Sequence, residues 1–208
     1  MQLQNYYYWF KDAIPTHVCD DIVRYAKQLQ DQMAVTGQFS NKKELNKKQI
    51  QDLKKKRDSD IVWLSERWIY NAIHPYIHQA NADANWNFKW DFSEQCQFTK
   101  YKKGQYYDWH CDSWDRPYDV PNTPSHGKTR KLSVTLSLSD DKDYKGGELE
   151  FDMRNIEPHL KANTHVLKEI RSKGSLVVFP SDVWHRVKPV TKGTRHSLVI
   201  WNVGDPFQ

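Results

Sequence analysis

The sequence predicts a mainly β protein of the α+β class, in which N-terminal helices pack on a sandwich or jelly-roll core. Apolar residues recur at helical spacing over roughly the first 85 residues. From about Trp86 they alternate with polar residues, as they do in half-buried strands. Turn residues then separate several short strands, which is typical of sandwiches and jelly rolls.

The N-terminal part contains two helical patterns. The first begins at Pro15-Thr16 and should end near Gly37. Its apolar positions are Val18, Ile22, Ala26, Leu29 and Met33. The second should be kinked or split at Pro75, because proline lacks the backbone N–H of a helix. Its apolar positions are Leu64, Trp68, Ala72, Tyr76 and Ala80.

The second part of the chain contains the strand patterns. Residues 132–139 alternate leucine and valine with serine and threonine, which predicts one apolar face and one small polar face. Residues 95–101 alternate in the same way, and "GELEF", "SLVVF" and "RHSLVIW" are further strands. We expect a single domain, residues 1–208, with a helical support at about 1–85 and a β core at about 86–208.

Composition and termini exclude several classes of protein. The chain is rich in aromatic residues, which disordered proteins lack. No apolar run approaches the ~20 residues of a membrane span, and the N-terminus does not resemble a secretion signal, so we predict a cytoplasmic protein without membrane contacts. Cys19, Cys96 and Cys111 are too few and too widely spaced for a disulfide framework, which predicts reduced, packed thiols.

Much of the basic excess lies between residues 41 and 57, a run with seven lysines and Arg57. Such a cluster could contact nucleic acid phosphates. However, the run contains no aromatic residue to stack on a base. We therefore favour a solvated loop or helix over a nucleic-acid contact.

Three residues are candidate metal ligands. A strand places residues i and i+2 on one face, so His110 and Asp112 should point together while Cys111 points away. The pair alone carries little weight, but His185, just after a strand and a turn, could be a third ligand. Two histidines and one carboxylate leave three coordination positions of the metal open, as in non-haem Fe(II) oxygenases. In a structural zinc site, by contrast, four protein ligands fill every position.

Four sequence blocks, in order, resemble one known family. They are "YKKGQYYDWHCD", "LSVTLSLSD", "YKGGELEF" and "GSLVVFPSDVWHRVKPVTKGTRHSLVIW", and they extend from about Gln97 to Trp201. The sequence thereby resembles the 2-oxoglutarate- and Fe(II)-dependent dioxygenases, and among them the prolyl 4-hydroxylase-like group. The resemblance implies a double-stranded β-helix (jelly roll) core in which His110, Asp112 and His185 ligate iron.

The resemblance also implies a cosubstrate pocket. Arg195 would bind the distal carboxylate of 2-oxoglutarate, because a planar guanidinium meets a carboxylate through two hydrogen bonds. Lys188 and Lys192 compete for this role, but Arg195 shares a strand face with Ser197, as in the family's pattern. The other implied pocket residues are Tyr101, Tyr107, Thr135, Ser137, Leu149, Ser197 and Trp201.

The function implied by the resemblance is hydroxylation of an unactivated C–H bond, foremost in a prolyl residue of a protein or peptide. Its cofactors would be Fe(II), 2-oxoglutarate and O2, with L-ascorbate as an accessory. The alternatives are hydroxylation of a small molecule or another side chain, nucleic-acid demethylation, and a cupin-like metal-binding module without turnover. A zinc hydrolase is disfavoured, because no glutamate lies beside His110 or His185 as a general base. The long segment 113–130 is either a lid or recognition element, or a surface insertion.

Overall fold

A computed structural model describes residues 5–35, 45–113, 115–153 and 163–207. Within these ranges the helices are α1 (Thr16–Ala26), α2 (Lys47–Lys56) and α3 (Arg67–Asp83). The strands are β1 Tyr8–Phe10, β2 Gln32–Met33, β3 Arg57–Asp58, β4 Asp60–Leu64, β5 Phe92–Ser93, β6 Cys96–Tyr101, β7 Tyr106–His110, β8 Thr129–Ser137, β9 Tyr144–Gly146, β10 Leu149–Asp152, β11 Thr164–Val166, β12 Leu176–Pro180, β13 His185–Val187, β14 Val190–Gly193 and β15 Arg195–Gly204. No helix of the described ranges has the length and apolar character needed to cross a membrane.

Helix α1 is shorter than its apolar pattern predicts. It ends at Ala26, while the predicted end near Gly37 lies outside the described residues. Leu29 and Met33 were assigned to the helix wrongly: both are exposed, and Met33 lies on β2, which pairs with β4. The spacing continued beyond the helix by coincidence, since these two side chains have no core to pack against.

Helix α3 is continuous from residue 67 to residue 83 and contains Pro75, so the predicted split is wrong. Among its fully buried residues, only Ala80 agrees with the predicted pattern. Leu64 lies on β4 and Trp68 is 40% exposed, whereas the buried residues are Ile69, Ile73, Ile77 and Ala80. Three isoleucines at four-residue steps form a continuous apolar stripe, and this stripe determines which side of the helix faces the core.

The basic run is helical where the structure describes it. Asn46 caps α2 by accepting a hydrogen bond from the backbone N–H of Gln49, whose side chain in turn accepts from the backbone N–H of Asn46. The five lysines of α2 are exposed and Leu53 is buried, so the prediction of a solvated helix is confirmed for residues 47–56. Arg57 is the exception, because it is only 5% exposed.

Antiparallel strands form two main sheets. The larger sheet has the order β1-β12-β8-β15-β6-β4-β2, with β5 paired to β15, and the smaller has the order β11-β10-β13-β7-β3. Strands β9 and β14 form a separate two-stranded ribbon. The N-terminal part is therefore not only helical, because β1, β3 and β4 pair with the core strands β12, β7 and β6.

The central strand β8 has the two faces that its alternation predicts. Leu132, Val134 and Leu136 belong to a large apolar cluster that also contains residues of α1 and α3. Ser133, Thr135 and Ser137 lie on the opposite face and are also buried. The helices thus cover one face of the larger sheet, while the other face borders the interior between the two sheets, where the candidate site lies.

Candidate active site

The three predicted metal ligands converge in the smaller sheet. His110 is the last residue of β7 and His185 the first of β13, and the two are directly paired in register. Asp112 lies two residues beyond the end of β7, so the prediction of one strand carrying both residues is wrong at this end. The ligand atoms of the three side chains nevertheless lie within 4.8 Å of one another.

Backbone contacts fix the loop that carries Asp112. The backbone N–H groups of Asp112 and Ser113 both donate to the carbonyl oxygen of Ser181, at 2.8 Å each. The Cys111 thiol contacts the carbonyl oxygen of Ser113 at 3.4 Å and does not belong to the ligand cluster. This arrangement agrees with the prediction that the thiol points away from the two ligands beside it.

Each histidine ring is oriented by a backbone carbonyl. Nδ1 of His110 lies 2.7 Å from the carbonyl oxygen of Asp108, and Nδ1 of His185 lies 2.9 Å from that of Val183. Because a carbonyl only accepts, Nδ1 carries the proton and Nε2 keeps its lone pair. The two Nε2 atoms lie 3.8 and 3.6 Å from the carboxylate oxygens of Asp112. All three donor atoms are therefore directed at one another.

The protonation states suit a divalent cation. Burial, together with the neighbouring His185, holds the pKa of His110 well below its usual value, so the ring is neutral at pH 7. Burial acts to raise the pKa of Asp112, but the electrostatic effect of the neighbouring His185, His110 and Arg130 outweighs it and keeps the pKa below the usual value. A neutral imidazole and an ionised carboxylate are the forms that bind metals.

One unsatisfied atom supports the same conclusion. Oδ2 of Asp112 is buried and makes no hydrogen bond with the described residues. A buried carboxylate oxygen without a partner is costly, and a metal ion would satisfy it. The donor set of two imidazoles and one carboxylate leaves positions open for further ligands, which fits Fe(II).

A buried arginine lies in the same pocket. Arg195 is only 3% exposed, and the hydrogen bond from its guanidinium to the Ser197 hydroxyl measures 3.1 Å. Its guanidinium carbon lies 5.5 Å from the ring centre of Tyr101, and it forms no salt bridge with a described residue. A ligand carboxylate would give this buried cation the partner that the protein does not supply.

The two competing lysines lie elsewhere. Lys192 is exposed on β14, and Lys188 pairs with Glu150 at 3.6 Å. Neither lines the pocket that contains His110 and Arg195. Of the three candidate cations, only Arg195 is therefore placed to bind an anion there.

Most of the predicted pocket residues do line this pocket. Those that do so are Tyr101, Tyr107, Thr135, Leu149, Ser197 and Trp201. Ser137 is the exception, because its buried hydroxyl donates to the carbonyl oxygen of Ser139 and the residue is not in the pocket lining. The Tyr107 ring stacks on the His110 ring with centres 3.5 Å apart. The indole Nε1 of Trp201 is buried without a partner among the described residues, so it can donate to a ligand.

Sequence reasoning missed Arg57 and Gln97, which also line the pocket. Arg57 was grouped with the solvated lysines, but its guanidinium donates to Gln97 at 2.6 Å and lies 4.5 Å from the ring centre of Tyr107. Gln97 alternates with Phe98 and shares a strand face with Tyr101, so the period-two pattern could have identified it. Nothing in the sequence distinguished Arg57 from the lysines before it.

Sequence reasoning also missed Arg130, which is the last residue of the segment 113–130 and lies close to the metal ligand Asp112. It forms a half-buried salt bridge with Glu94 at 2.6 Å, and its guanidinium carbon lies 3.9 Å from the ring centre of Trp201. One of its nitrogens approaches the carbonyl oxygen of Asp112 at 3.4 Å. Glu94 also accepts a hydrogen bond from the Tyr118 hydroxyl, at 2.7 Å, which ties the segment to the wall of the pocket.

A larger cavity of about 460 Å³ lies apart from this chemistry. Its lining residues are Asn5, Tyr6, Tyr7, Tyr8, Trp9 and Met153, and none of them belongs to the pocket with the metal ligands. The smaller pocket is the candidate active site, because the histidines, the carboxylate and the buried arginines meet there.

Comparison with known proteins identifies a family match that includes the candidate metal ligands. A family model described as the 2OG-Fe(II) oxygenase superfamily matches residues 96–203. A PKHD-type hydroxylase of Pseudoalteromonas atlantica is 36% identical over 106 residues, which are 50% of this chain and 41% of that protein. A PKHD-type hydroxylase of Teredinibacter turnerae is 37% identical over 105 residues, with the same coverage. The chain therefore matches about two fifths of the length of these relatives.

Solved structures show a similar fold over nearly the whole chain. The viral collagen prolyl hydroxylase of Paramecium Bursaria Chlorella virus-1, in its 2OG complex, has a TM-score of 0.65 at 18% identity and covers 97% of both chains. A Pseudomonas putida prolyl-4-hydroxylase has a TM-score of 0.63 at 19% identity, covering 96% of this chain and 93% of its own. At these identities the likeness concerns the fold, and it confirms the predicted jelly-roll core with supporting helices.

Proposed function

Because the chain belongs to the 2OG-Fe(II) oxygenase superfamily, we propose that it is an Fe(II)- and 2-oxoglutarate-dependent dioxygenase. The reaction would hydroxylate a C–H bond, foremost in a prolyl residue of a protein or peptide, and release succinate and CO2. The observation that carries the proposal is the convergence of three metal-ligand side chains beside a buried arginine that has no carboxylate partner in the described part of the chain.

His110, Asp112 and His185 would hold the iron. Their backbone partners fix the tautomer and the direction of each ring before the metal binds. When bound, iron with 2-oxoglutarate and O2 supplies the oxidising power for attack on an unactivated C–H bond. The protein's own contribution is to position the reactants and to keep water away from them.

Arg195 would hold the distal carboxylate of 2-oxoglutarate, with Ser197 and Tyr101 beside it. Ser197 already accepts a hydrogen bond from the guanidinium, so the side chain is oriented before the cosubstrate arrives. Thr135, Leu149 and Trp201 would form the remaining walls. Tyr107 stacks on His110 and would limit the movement of this ligand.

The prolyl substrate is supported by the names of the similar proteins. A prolyl hydroxylase of Trichoplax adhaerens, solved with a hypoxia inducible factor peptide fragment, has a TM-score of 0.64 at 16% identity, covering 96% of this chain and 84% of its own. We extend a peptide substrate to this chain as a proposal. L-ascorbate as an accessory and a cytoplasmic location stay predictions.

The test is succinate release by the purified protein with Fe(II), 2-oxoglutarate and O2. We expect release that depends on all three, and we expect a proline-containing peptide to gain the mass of one oxygen atom. If only a small molecule stimulated succinate release, the substrate would be a small molecule and not a peptide. Tight iron binding without any succinate release would favour the cupin-like module.

A further inference from the structure

Helix α2 lies close to the candidate active site, and its position bears on the substrate. Strand β3 follows the helix directly and pairs with β7, the strand that ends at His110. The Tyr106 hydroxyl donates to the carbonyl oxygens of Lys54 and Lys55, at 3.1 Å each. The last turn of α2 therefore lies against the strand that carries one of the candidate metal ligands.

Exposed lysines lie at this junction and further along α2. We call them the basic rim, and its members are Lys47, Lys48, Lys54, Lys55 and Lys56 of α2 with Lys102 and Lys103 of the turn after β6. With Arg57, residues 46–60 and 101–105 contain eight cations and three carboxylates. The excess of five equals the net charge of the whole chain. The rest of the chain is thus neutral on balance, and the net positive charge lies in these two segments, which include Arg57 of the pocket lining.

The stability of the helix accounts for only part of this charge. Lysines in the last turn of α2 interact favourably with the helix dipole. Lys47 and Lys48 are in the first turn, where cations are unfavourable, and this turn contains no acidic residue. The two residues are therefore placed against the preference of the helix itself, which suggests a role outside it.

Arg57 extends the positive charge from the rim into the pocket. It is 5% exposed, and its guanidinium donates to the Ser59 hydroxyl at 2.9 Å and to the Gln97 amide oxygen at 2.6 Å. It forms no salt bridge with a described residue, whereas the more exposed Arg130 is paired with Glu94. A buried cation with neutral partners favours an incoming anion.

We propose that the substrate of this site is an acidic peptide segment, which docks on the basic rim and places a carboxylate at Arg57. This inference rests on the proposed function and specifies its substrate class. Nucleic acid would also be attracted by the lysines, but residues 46–60 contain no aromatic side chain on which a base could stack. A peptide carboxylate needs only the charge and the guanidinium.

The test uses three synthetic peptides of equal length with the same fluorophore and one central proline. The residues that flank the proline are glutamate and glycine in the first peptide, serine and glycine in the second, and lysine and glycine in the third. We expect the glutamate peptide to bind at least about tenfold more tightly than the serine peptide, and the lysine peptide to bind most weakly. The preference should shrink as salt is added, because exposed charges are screened. Equal affinities for the three peptides would overturn the proposal.

The double variant Lys47→Glu with Lys48→Glu tests the rim. Glutamates in the first helical turn interact favourably with the dipole, so α2 should remain folded. The control is Lys11→Glu with Lys89→Glu, two exposed lysines outside the rim with the same change of charge. We expect the preference for the glutamate peptide to vanish in the rim variant and persist in the control. If both variants lost this preference equally, only the net charge of the protein would matter, and the basic rim would not be the docking surface.

Gln97→Glu tests the pocket end, because it offers Arg57 a carboxylate within the protein. We expect the glutamate peptide to lose affinity while the serine peptide keeps it. An unchanged preference would contradict the role of Arg57. A single-stranded oligonucleotide that binds more tightly than any peptide, and is released by the rim variant, would replace the peptide by a nucleic acid. Succinate release, measured separately, shows whether the proposed chemistry itself fails.

Discussion

The two faces of the larger sheet are both buried, yet they differ in chemistry. On the face covered by α1 and α3, β8 presents Leu132, Val134 and Leu136 to an apolar cluster. On the inner face the same strand presents serine and threonine, and β15 presents Arg195 and Ser197. Hydrophobic burial explains the first face. It does not explain the second.

The difference between the two faces indicates that ligands bind at the inner face. Polar groups that are buried without partners are costly, so they are rare unless something satisfies them. Among the described residues, the inner pocket nevertheless contains an Asp112 oxygen and a Trp201 N–H without a hydrogen-bond partner, and two guanidiniums without a carboxylate partner. A metal and an anionic cosubstrate would satisfy these groups, and four experiments test this difference between the faces.

The largest effect should follow from Asp112→Ala. We expect Fe(II) binding to be lost, because the remaining pair of histidines is below the usual minimum for such a site. An anaerobic iron titration measures this, and circular dichroism checks the fold. Asp108→Ala is the matched control, since that exposed carboxylate lies on the same strand but outside the cluster. Equal iron affinity in the Asp112 variant and the wild type would rule out the ligand set.

Arg195→Gln should have the next largest effect. Removing one partner of a buried ion pair costs about 3–5 kcal/mol, so 2-oxoglutarate should bind roughly a hundredfold or more weakly. Iron affinity should stay the same. Titration of 2-oxoglutarate into the Fe(II)-loaded protein measures both effects, with Lys192→Gln as the control for an exposed cation nearby in the chain. A dissociation constant that does not change would remove the cosubstrate role.

A pair of substitutions on β8 compares the two faces directly. Leu136→Ala should lower the free energy of unfolding by about 2–5 kcal/mol, because it leaves a cavity in the apolar cluster. Thr135→Ala should lower it by less than about 1 kcal/mol, since its side chain borders the pocket instead of a packed core. Urea denaturation measures both values. Similar losses at the two positions would mean that the inner face is packed like the outer one.

The smallest effect should come from Cys111→Ser. The thiol lies between two ligands in sequence but outside their cluster, so iron affinity and turnover should be retained. Iron titration and succinate release provide the measurements. If the folded variant failed to bind iron, the placement of Cys111 relative to Asp112 would be wrong.

Local patterns in the sequence predicted a large part of the fold. The alternation in β6 and β8 placed the apolar residues on one face and most polar residues on the other, because side chains of a strand alternate by geometry. The helix patterns were less reliable. The pattern of α1 continued past its true end, and that of α3 shared only Ala80 with the fully buried stripe, because apolar spacing alone does not show which side meets the core.

The candidate ligands His110, Asp112 and His185 could be identified without a structure, since their residue types and the surrounding blocks are local features. That the three donor atoms lie together follows from the fold, because His185 is 75 residues from His110 and the two meet through the pairing of β13 with β7. The same holds for Arg57. Its neighbours in sequence are exposed lysines, and its burial results from the pairing of β3 with β7, which turns one cation of a solvated run towards the pocket.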